Sequence, residues 1–298
     1  MEIRTIESFR CKLGEGPVWD VQEQALYGTD LLSRSIWRYN PQQDTRQSWT
    51  FADYTGSFAL RERGGAIVAL SSGLYLYDFS TGAQQLIADV CGHDDQLQLN
   101  DGKVDQQGRF VVGSVHTSGT EAEAAWYGVA GNLSIATLAR QWVVTNGPCW
   151  SPDGGTFYAA DSMRGDIFAY DYDTADGRMS NPRIFAHTLP MGGIPDGATV
   201  DAQGFLWTAI CGGSKVVRYA PNGEIALTID MPTPLVSSVM FGGPDLDRLF
   251  VTSIDGEAAA REIPAAAQSP VASDRHSGAL FVIDGLGIRG LAERRFVG

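Results

Sequence analysis

Residues 145–173, TNGPCWSPDGGTFYAADSMRGDIFAYDYD, contain one complete unit of a pattern that recurs along the 298-residue chain. In this unit the apolar segment TFYAAD follows a turn, and GDIFAYDYD follows the next turn and ends in aspartates, as a strand leading into a hairpin does. The first kind of segment occurs as ALYGTD, AIVALSS, RFVVGS, TFYAAD, FLWTAI and RLFVTS, with equivalent positions at Leu26, Ile67, Phe110, Phe157, Leu206 and Leu249. The repeats lie about 40 to 50 residues apart, which is the length of a four-stranded propeller blade.

The second kind of segment recurs with the first. It occurs as SIWRYNP, GLYLYDF, GNLSIA, GDIFAYDYD, SKVVRYAP and GALFVIDG. Turn signals such as DQQG, SPDGG, DAQG and APNG lie where hairpins are needed, and the segments lack the 3.6-residue period of a helix. The sequence therefore predicts an all-β fold, a six-bladed β-propeller with four-stranded antiparallel blades, formed by residues 1–298 as a single domain.

Closing such a ring requires the two ends of the chain to meet, because an open ring would expose an unpaired sheet edge. Residues 3–9 have no blade of their own, so we expect this N-terminal strand to close the last blade beside residues 278–284 and a terminal strand near Phe296. Two irregular stretches, 117–130 and 256–276, are rich in Ala, Ser or Gly, and we expect them to be long surface loops.

Composition limits the kinds of protein that this chain can be. Apolar residues make up 44% and charged residues 19%, as in packed globular proteins. The 35 Gly and 13 Pro suit short strands joined by tight turns, so helix should be scarce. A formal charge of -13 repels phosphate backbones and argues against a nucleic-acid partner; it is compatible with a cation site or simply with a solvated acidic surface.

Cysteine placement and the lack of long apolar segments bear on the compartment. Cys11, Cys91, Cys149 and Cys211 lie far apart without a CxxC motif, so we expect buried free thiols in a reducing environment. The N-terminal sequence lacks an apolar signal core, and no stretch approaches the roughly 20 apolar residues of a membrane helix. We expect a cytoplasmic protein, a monomer or weak dimer, with no membrane partner.

Oxygen-donor residues recur at one place in the repeat. The positions about ten residues before each anchor are Glu15, Ser57, Asn100, Asn146, Asp196 and the Ser238–Val239 pair. The first strand of each propeller blade lines the central axis, so we expect these positions to converge at one end of the channel. Carboxylate and amide oxygens without Cys or His favour a hard cation such as Ca²⁺, Mg²⁺ or Mn²⁺, with Zn²⁺ and Fe²⁺ also open. Taken singly, the NDG, NG and PDG contexts are also ordinary turn sequences.

Five motifs give the chain a family resemblance. They are LGEGPVWD at 13–20, NDGKVD at 100–105, TNGPCWSPDG at 145–154, IPDGATVDAQGFLW at 194–207 and FGGPDLDRLFVTS at 241–253. With these motifs, the chain resembles the gluconolactonase and senescence-marker-protein family, also called the regucalcin family, over essentially its whole length. The resemblance implies a six-bladed propeller, one catalytic divalent metal ion and lactonase activity on aldonolactones.

The resemblance also implies roles for individual residues. Glu15, Asn146 and Asp196 would be the metal ligands, and Asp196 would also be the catalytic base. Asn100 would contact the substrate or a metal-bound water, and Asp101 would be a neighbouring site residue. The predicted reaction is hydrolysis of a sugar lactone in which the metal polarises the carbonyl and Asp196 takes a proton from the attacking water. A metal-bound hydroxide is the alternative nucleophile.

Two departures from the family pattern bear on the substrate. Many members carry Arg where this chain has Gln98, and some animal members carry Glu in the segment that contains His116 here. A neutral Gln pairs well with a hydroxyl and poorly with a carboxylate, so we expect an uncharged sugar lactone. A cation-binding propeller without enzymatic activity and a metal-dependent esterase of another ester class are the alternatives.

Overall fold

The computed structural model describes residues 1–92, 94, 96–263 and 271–298. Within these residues, 24 strands form six four-stranded antiparallel sheets arranged as blades around an axis. Blades 1 to 3 are β2 (Gly14–Asp20), β3 (Ala25–Asp30), β4 (Ser35–Asn40) and β5 (Thr45–Thr50); β6 (Thr55–Leu60), β7 (Ala66–Leu70), β8 (Gly73–Tyr77) and β9 (Gln84–Ala88); and β10 (Leu97–Val104), β11 (Phe110–His116), β12 (Ala124–Val129) and β13 (Ile135–Trp142).

Blades 4 and 5 continue in chain order, and blade 6 combines both ends of the chain. These blades are β14 (Thr145–Trp150), β15 (Thr156–Asp161), β16 (Asp166–Tyr172) and β17 (Met179–His187); β18 (Ile194–Val200), β19 (Leu206–Cys211), β20 (Lys215–Tyr219) and β21 (Ile225–Asp230); and β22 (Val236–Gly242), β23 (Arg248–Ser253), β24 (Ala279–Asp284) and β1 (Glu2–Arg10). Strand β1 runs antiparallel to β24, with Glu2 opposite Asp284. The predicted six-bladed propeller and its closure by the N-terminal strand are confirmed.

The first strands of the blades, β2, β6, β10, β14, β18 and β22, contact one another in succession and line the axis. The first kind of repeated segment forms the second strand of each blade. The predicted site positions precede it and therefore lie on the axial strands themselves.

The core consists of six apolar clusters, one between each pair of neighbouring blades. Between blades 3 and 4, for example, Trp126 and Phe157 are fully buried and meet edge to face at 5.5 Å between ring centroids. Burying one such side chain contributes about 1.5 to 3 kcal/mol, so the blade-to-blade contacts stabilise the ring. The four cysteines are free; Cys11, Cys91 and Cys149 are buried, as expected, whereas Cys211 is partly exposed.

In blade 3, the prediction placed a strand wrongly. The segment GNLSIA was expected to be a strand and 117–130 a loop, but the third strand is β12 (Ala124–Val129), and GNL lies in the hairpin that follows it. The alanine-rich start of β12 has the composition of a loop. It is nonetheless buried, because Ala124 and Trp126 pack into the cluster between blades 3 and 4.

The stretch 256–276 was also expected to be a loop. It begins with the helix α1 (Gly256–Glu262), whose N-cap Asp255 accepts hydrogen bonds from the amides of Glu257 and Ala258. Residues 264–270 of this stretch lie outside the described residues. The other described helices are single 3₁₀ turns, Ser162–Arg164 and Leu189–Met191, so helix is scarce as predicted. None of the described helices has the length and apolar character needed to cross a lipid bilayer.

Phe296 does not join the last blade, as had been expected. It forms a parallel bridge with Arg61, its amide donates to the carbonyl of Leu60, and its ring is fully buried between blades 2 and 3. Blade 6 already has its four strands, with β1 at the edge, so the chain end is free to pack elsewhere.

Residues 285–298, here called the C-terminal strap, cross the end of the channel where the axial strands finish. The strap contacts five blades through Asp201 of blade 5, Leu246 of blade 6, Asp20 of blade 1, Leu60 of blade 2 and Gly108 of blade 3. Each of these residues lies at the end of an axial strand or in the hairpin after it. The strap therefore covers one mouth of the channel, and the predicted site positions lie towards the other.

Phe296 should be the main apolar anchor of the strap. Phe296→Ala should lower the free energy of unfolding by about 3 to 5 kcal/mol, because a fully buried ring leaves a cavity. Urea denaturation measures the loss. Leu291→Ala, at a 37% exposed position of the same strap, is the matched control and should cost far less. Equal losses in the two variants would contradict this role for Phe296.

Candidate functional site

Each axial strand leaves its regular pairing at the level of the predicted site. Glu15 lies opposite Thr29, and the register between β2 and β3 resumes only at Val18. Corresponding irregularities occur in the other five axial strands, at 55–57, 99–102, 146–149, 195–198 and 236–239. Such bulges redirect side chains, here towards the axis. Gly16 and Gly147 have φ of 49° and 60°, a left-handed conformation that glycine adopts without strain. The GEG and NG sequences thus serve bulges rather than chain-reversing turns.

The bulges bring two carboxyl groups together. Glu15 of blade 1 and Asp196 of blade 5 lie close enough for their carboxyl groups to interact, and both residues are less than 10% exposed. The sequence prediction required these groups to lie on the same side of the molecule, and their role as metal ligands stays a prediction.

Asn146 of blade 4 is linked to the same cluster through its amide. Its Nδ2 donates to Ser162 Oγ at 2.9 Å, and Ser162 Oγ donates to the carbonyl of Pro195 at 2.7 Å, next to Asp196. Its Oδ1 accepts from Asn100 Nδ2 at 3.0 Å. These contacts fix which end of the amide is oxygen and connect blades 3, 4 and 5 around the site.

Asn100 and Asp101 lie in the bulge of blade 3. The Asn100 amide also donates to the carbonyl of Thr145 at 2.8 Å. Asp101 Oδ1 accepts from the amide of Gly102 at 2.7 Å, and Oδ2 accepts from the amide of Gly147 at 2.8 Å. Asp101 thereby holds the backbone beside Asn146, and its role towards substrate stays a prediction.

Gln98 and His116 lie on neighbouring strands at the start of blade 3. Gln98 is opposite Val115 and half-buried, and the described part of the chain offers its side-chain amide no hydrogen-bond partner. The buried His116 accepts at Nδ1 from the amide of Ser118, so a neutral ring carries its proton on Nε2. Both side chains therefore retain polar atoms able to bind a ligand, and their contact with substrate stays a prediction.

The ionisable groups that act on one another here are the carboxyl groups of Glu15, Asp101 and Asp196 and the ammonium of Lys103. Burial raises the pKa of Glu15 well above its ordinary value, and the charges of Asp196 and then Asp101 raise it further. Burial and the charge of Asp101 likewise raise the pKa of Asp196. Burial also raises the pKa of Asp101, although the ammonium of Lys103 and the two backbone amides oppose that shift. The pKa values of both Glu15 and Asp196 are therefore raised in the folded protein.

This donor set fits a divalent cation. The carboxyl groups of Glu15 and Asp196 and the amide oxygen of Asn146 are of the kind that a divalent cation prefers, and a cation would offset the repulsion between two buried carboxylates. A group of three or more His, Cys, Asp or Glu side chains able to hold a metal does not occur among the described residues. The predicted set has only two carboxylates, and its third member is the amide of Asn146.

Sequence reasoning missed Ser162 and the placement of Lys103. Ser162 directly follows the second strand of blade 4, where the other blades carry Leu31, Ser71, Thr117, Gly212 and Ile254, so the repeat gave no consistent signal for it. Lys103 belongs to NDGKVD, and a motif does not reveal that its side chain reaches blade 5 to meet the carbonyl of Ala198.

The fold and this site define a class of protein: six-bladed β-propellers whose axial strands gather oxygen-donor side chains at one mouth of the channel. Within that class, residues 13–255 match the family described as SMP-30/Gluconolactonase/LRE-like region. The chain belongs to this family, which confirms the resemblance seen in its motifs.

Similar proteins span most or all of the chain. Regucalcin of Xenopus laevis is 31% identical over 100% of this chain and 99% of its own length. The 6-deoxy-6-sulfogluconolactonase of Pseudomonas putida is 34% identical over 84% of this chain and 86% of its own. The crystal structure of a calcium-binding protein, regucalcin, from Agrobacterium tumefaciens has a TM-score of 0.88 at 24% identity, covering 99% of this chain and 97% of that one, and so shares the fold.

The acid pair should make the metal-free protein less stable as pH rises. The pKa values of Glu15 and Asp196 are raised in the folded state, so that state binds protons more tightly than the unfolded chain does. The stability that they contribute is therefore lost between their ordinary values, 4.5 and 3.8, and the raised folded values. Asp196→Asn removes one of the charges, so in chelator its urea midpoint should exceed that of the wild type at neutral pH. The difference should shrink as pH falls; a difference independent of pH would contradict the raised pKa values of the pair.

Proposed function

We propose that this protein hydrolyses an uncharged sugar lactone to the corresponding sugar acid. The observation that carries the proposal is the buried contact of Glu15 with Asp196 at one mouth of the channel, with the amide of Asn146 linked to it. A relative that shares 34% identity over 84% of the chain is named a sulfogluconolactonase, a sugar lactonase. These observations together favour a lactone over other esters.

Glu15, Asn146 and Asp196 would hold one divalent cation, Ca²⁺, Mg²⁺, Mn²⁺, Zn²⁺ or Fe²⁺. When bound, that ion supplies a positive charge that stabilises the negative charge developing on the lactone carbonyl oxygen. Hydrogen bonds with Asn100 and Ser162 fix the orientation of the Asn146 amide. Burial of the three ligands excludes water, which strengthens each electrostatic contact there.

Asp196 would act as the general base. A carboxylate oxygen of Asp196 takes a proton from a water molecule as that water attacks the carbonyl carbon, and the ring C–O bond then breaks. The departing ring oxygen becomes a hydroxyl by taking that proton from Asp196, which returns Asp196 to its carboxylate, so the products are a carboxylic acid group and an alcohol in one open chain. A bond to the cation would lower the basicity of Asp196, so the base role requires a carboxylate oxygen of Asp196 that the cation does not hold.

The substrate would be bound by polar, uncharged groups on blade 3. Gln98 has a side-chain amide without a partner among the described residues, His116 can donate from Nε2, and Asn100 and Asp101 follow Gln98 on the same axial strand. Neutral donors and acceptors suit the hydroxyl groups of a sugar, whereas a carboxylate or phosphate would favour Arg or Lys.

Replacing Asp196 tests the proposal. Initial rates on gluconolactone, galactonolactone, xylonolactone and arabinonolactone, each with several added divalent metals, measure the activity of the wild type. Asp196→Asn should lose most turnover, equivalent to about 3 kcal/mol or more of transition-state stabilisation. Asp245→Asn, at an exposed aspartate, is the matched control and should retain wild-type rates.

Two results would contradict these roles. Wild-type rates in Asp196→Asn with metal still bound, measured by calorimetric titration, would remove Asp196 from catalysis. A wild-type protein that binds metal but hydrolyses none of the four lactones would instead favour a cation-binding propeller without enzymatic activity.

Gln98 should determine preference among lactones rather than turnover. Gln98→Ala should raise KM about fivefold for the lactones whose hydroxyl it contacts, since one lost hydrogen bond is worth about 1 kcal/mol, and should leave kcat nearly unchanged. Gln96→Ala, at an exposed glutamine just before the strand, is the control. An equal change for all four lactones would show that Gln98 does not discriminate between them.

A further inference from the structure

The NDGKVD motif contains a lysine that the proposed metal and substrate sites do not use. Lys103 Nζ donates a hydrogen bond of 2.9 Å to the backbone carbonyl of Ala198. Lys103 lies on the axial strand of blade 3, and Ala198 lies on that of blade 5. Its side chain therefore reaches from blade 3 to blade 5 and passes the axial strand of blade 4.

The C-terminal strap fixes the charged end of this side chain. Glu293 Oε1 of the strap lies 3.5 Å from Lys103 Nζ, and the two side chains are only 11% and 16% exposed. An ion pair shielded in this way is screened less by water and salt than a surface pair, so its geometry is better defined.

Lys103 lies at the strap end of the channel, beyond the level of the acid pair. It lines a cavity of about 250 Å³ together with Trp150 and Val200, which end their axial strands, and with Glu293 of the strap. Asp101 lies two residues earlier on the same strand, at the level of the site. The ammonium group therefore lies along the channel between the strap and the level of the carboxyl groups.

The carbonyl that Lys103 holds marks the end of the bulge that carries Asp196. Regular pairing of β18 with β19 breaks after Pro195 and resumes at Ala198, opposite Thr208. The backbone of Gly147 in blade 4 also packs closely against this bulge. A Cβ added to Gly147 would lie 2.7 Å from the carbonyl oxygen of Asp196. The bulge is therefore held between blade 4 and the Lys103 ammonium.

We propose that Lys103 is a positioning residue for the reaction proposed above: it fixes the bulge that presents Asp196, and Glu293 fixes Lys103. The inference rests on the proposed function for its kinetic arm alone. A displacement of about 1 Å in a catalytic group can cost 100-fold in rate, so one hydrogen bond at the end of the bulge is sufficient to matter.

Lys103→Met tests this role because it keeps the length of the side chain and removes the ammonium. Its kcat should fall by about 10- to 100-fold, while KM for the best lactone changes by less than about threefold. Lys103→Arg, which retains a charged donor, should recover most of the lost kcat. Glu293→Gln should lower kcat in the same direction but less.

A second readout does not depend on activity. In metal-free protein, hydrogen exchange of the backbone amides in β18 (Ile194–Val200) should be faster in Lys103→Met than in the wild type, while exchange in β2 (Gly14–Asp20) is unchanged. Lys12→Met is the matched control, since it removes an exposed lysine that pairs with Glu262 at 2.9 Å. It should change neither exchange in β18 nor kcat.

Two outcomes would overturn the role of Lys103. One is wild-type kcat in Lys103→Met, and the other is faster exchange spread evenly over all blades, which marks a lysine that only stabilises the fold. If the wild type hydrolyses none of the lactones, the proposed function fails, and the exchange comparison alone decides whether Lys103 fixes this bulge.

Discussion

Two carboxyl groups can be buried against each other only when something neutralises one of them. Glu15 and Asp196 come from blades 1 and 5 and are both less than 10% exposed, with Asp101 close enough to act on both. A bare pair of charges there would cost several kcal/mol, so the site takes up a proton or a cation. The propeller ring places these carboxyl groups together, and the buried pair therefore requires a positive charge for neutralisation.

The ring places these groups together because its axial strands are closely packed. A Cβ on Gly197 would lie 1.9 Å from Ser238 Oγ on the next blade, so the residue beside Asp196 has no room for a side chain. Bulges at the same level in all six axial strands then redirect the side chains next to these glycines. Close packing of the axial strands and the bulges within them together place the site side chains near one another.

The sequence correctly predicted the elements that recur in every blade. Its predictions were wrong for segments that depart from the repeat. The phase of Glu15, Asn146 and Asp196 relative to the second strands placed all three on axial strands, because each blade has the same order of turn and strand. In blade 3 the true strand had a loop-like composition, and its burial depends on Phe157 of blade 4 packing against Trp126, which local pattern does not show. The destination of Phe296 failed for a related reason, since a tail without a repeat can pack against any blade it reaches.

Ser162 and Lys103 show a further limit of the repeat. Each acts across blades through one side chain, and the partner is a backbone carbonyl that carries no residue-type signal. Motif analysis could select the NDGKVD segment, whereas only three-dimensional proximity could show what its lysine contacts.

Because blade 6 pairs β1 with β24, β1 has no partner strand until β24 has been synthesised. Until residue 284 has been synthesised, blades 1 to 5 can pack only as an open arc, with unpaired strand edges exposed to other chains. Glu15 and Asp196 lie on opposite sides of the missing blade in that arc, so the acid pair forms only after the strands of blade 6 have been added.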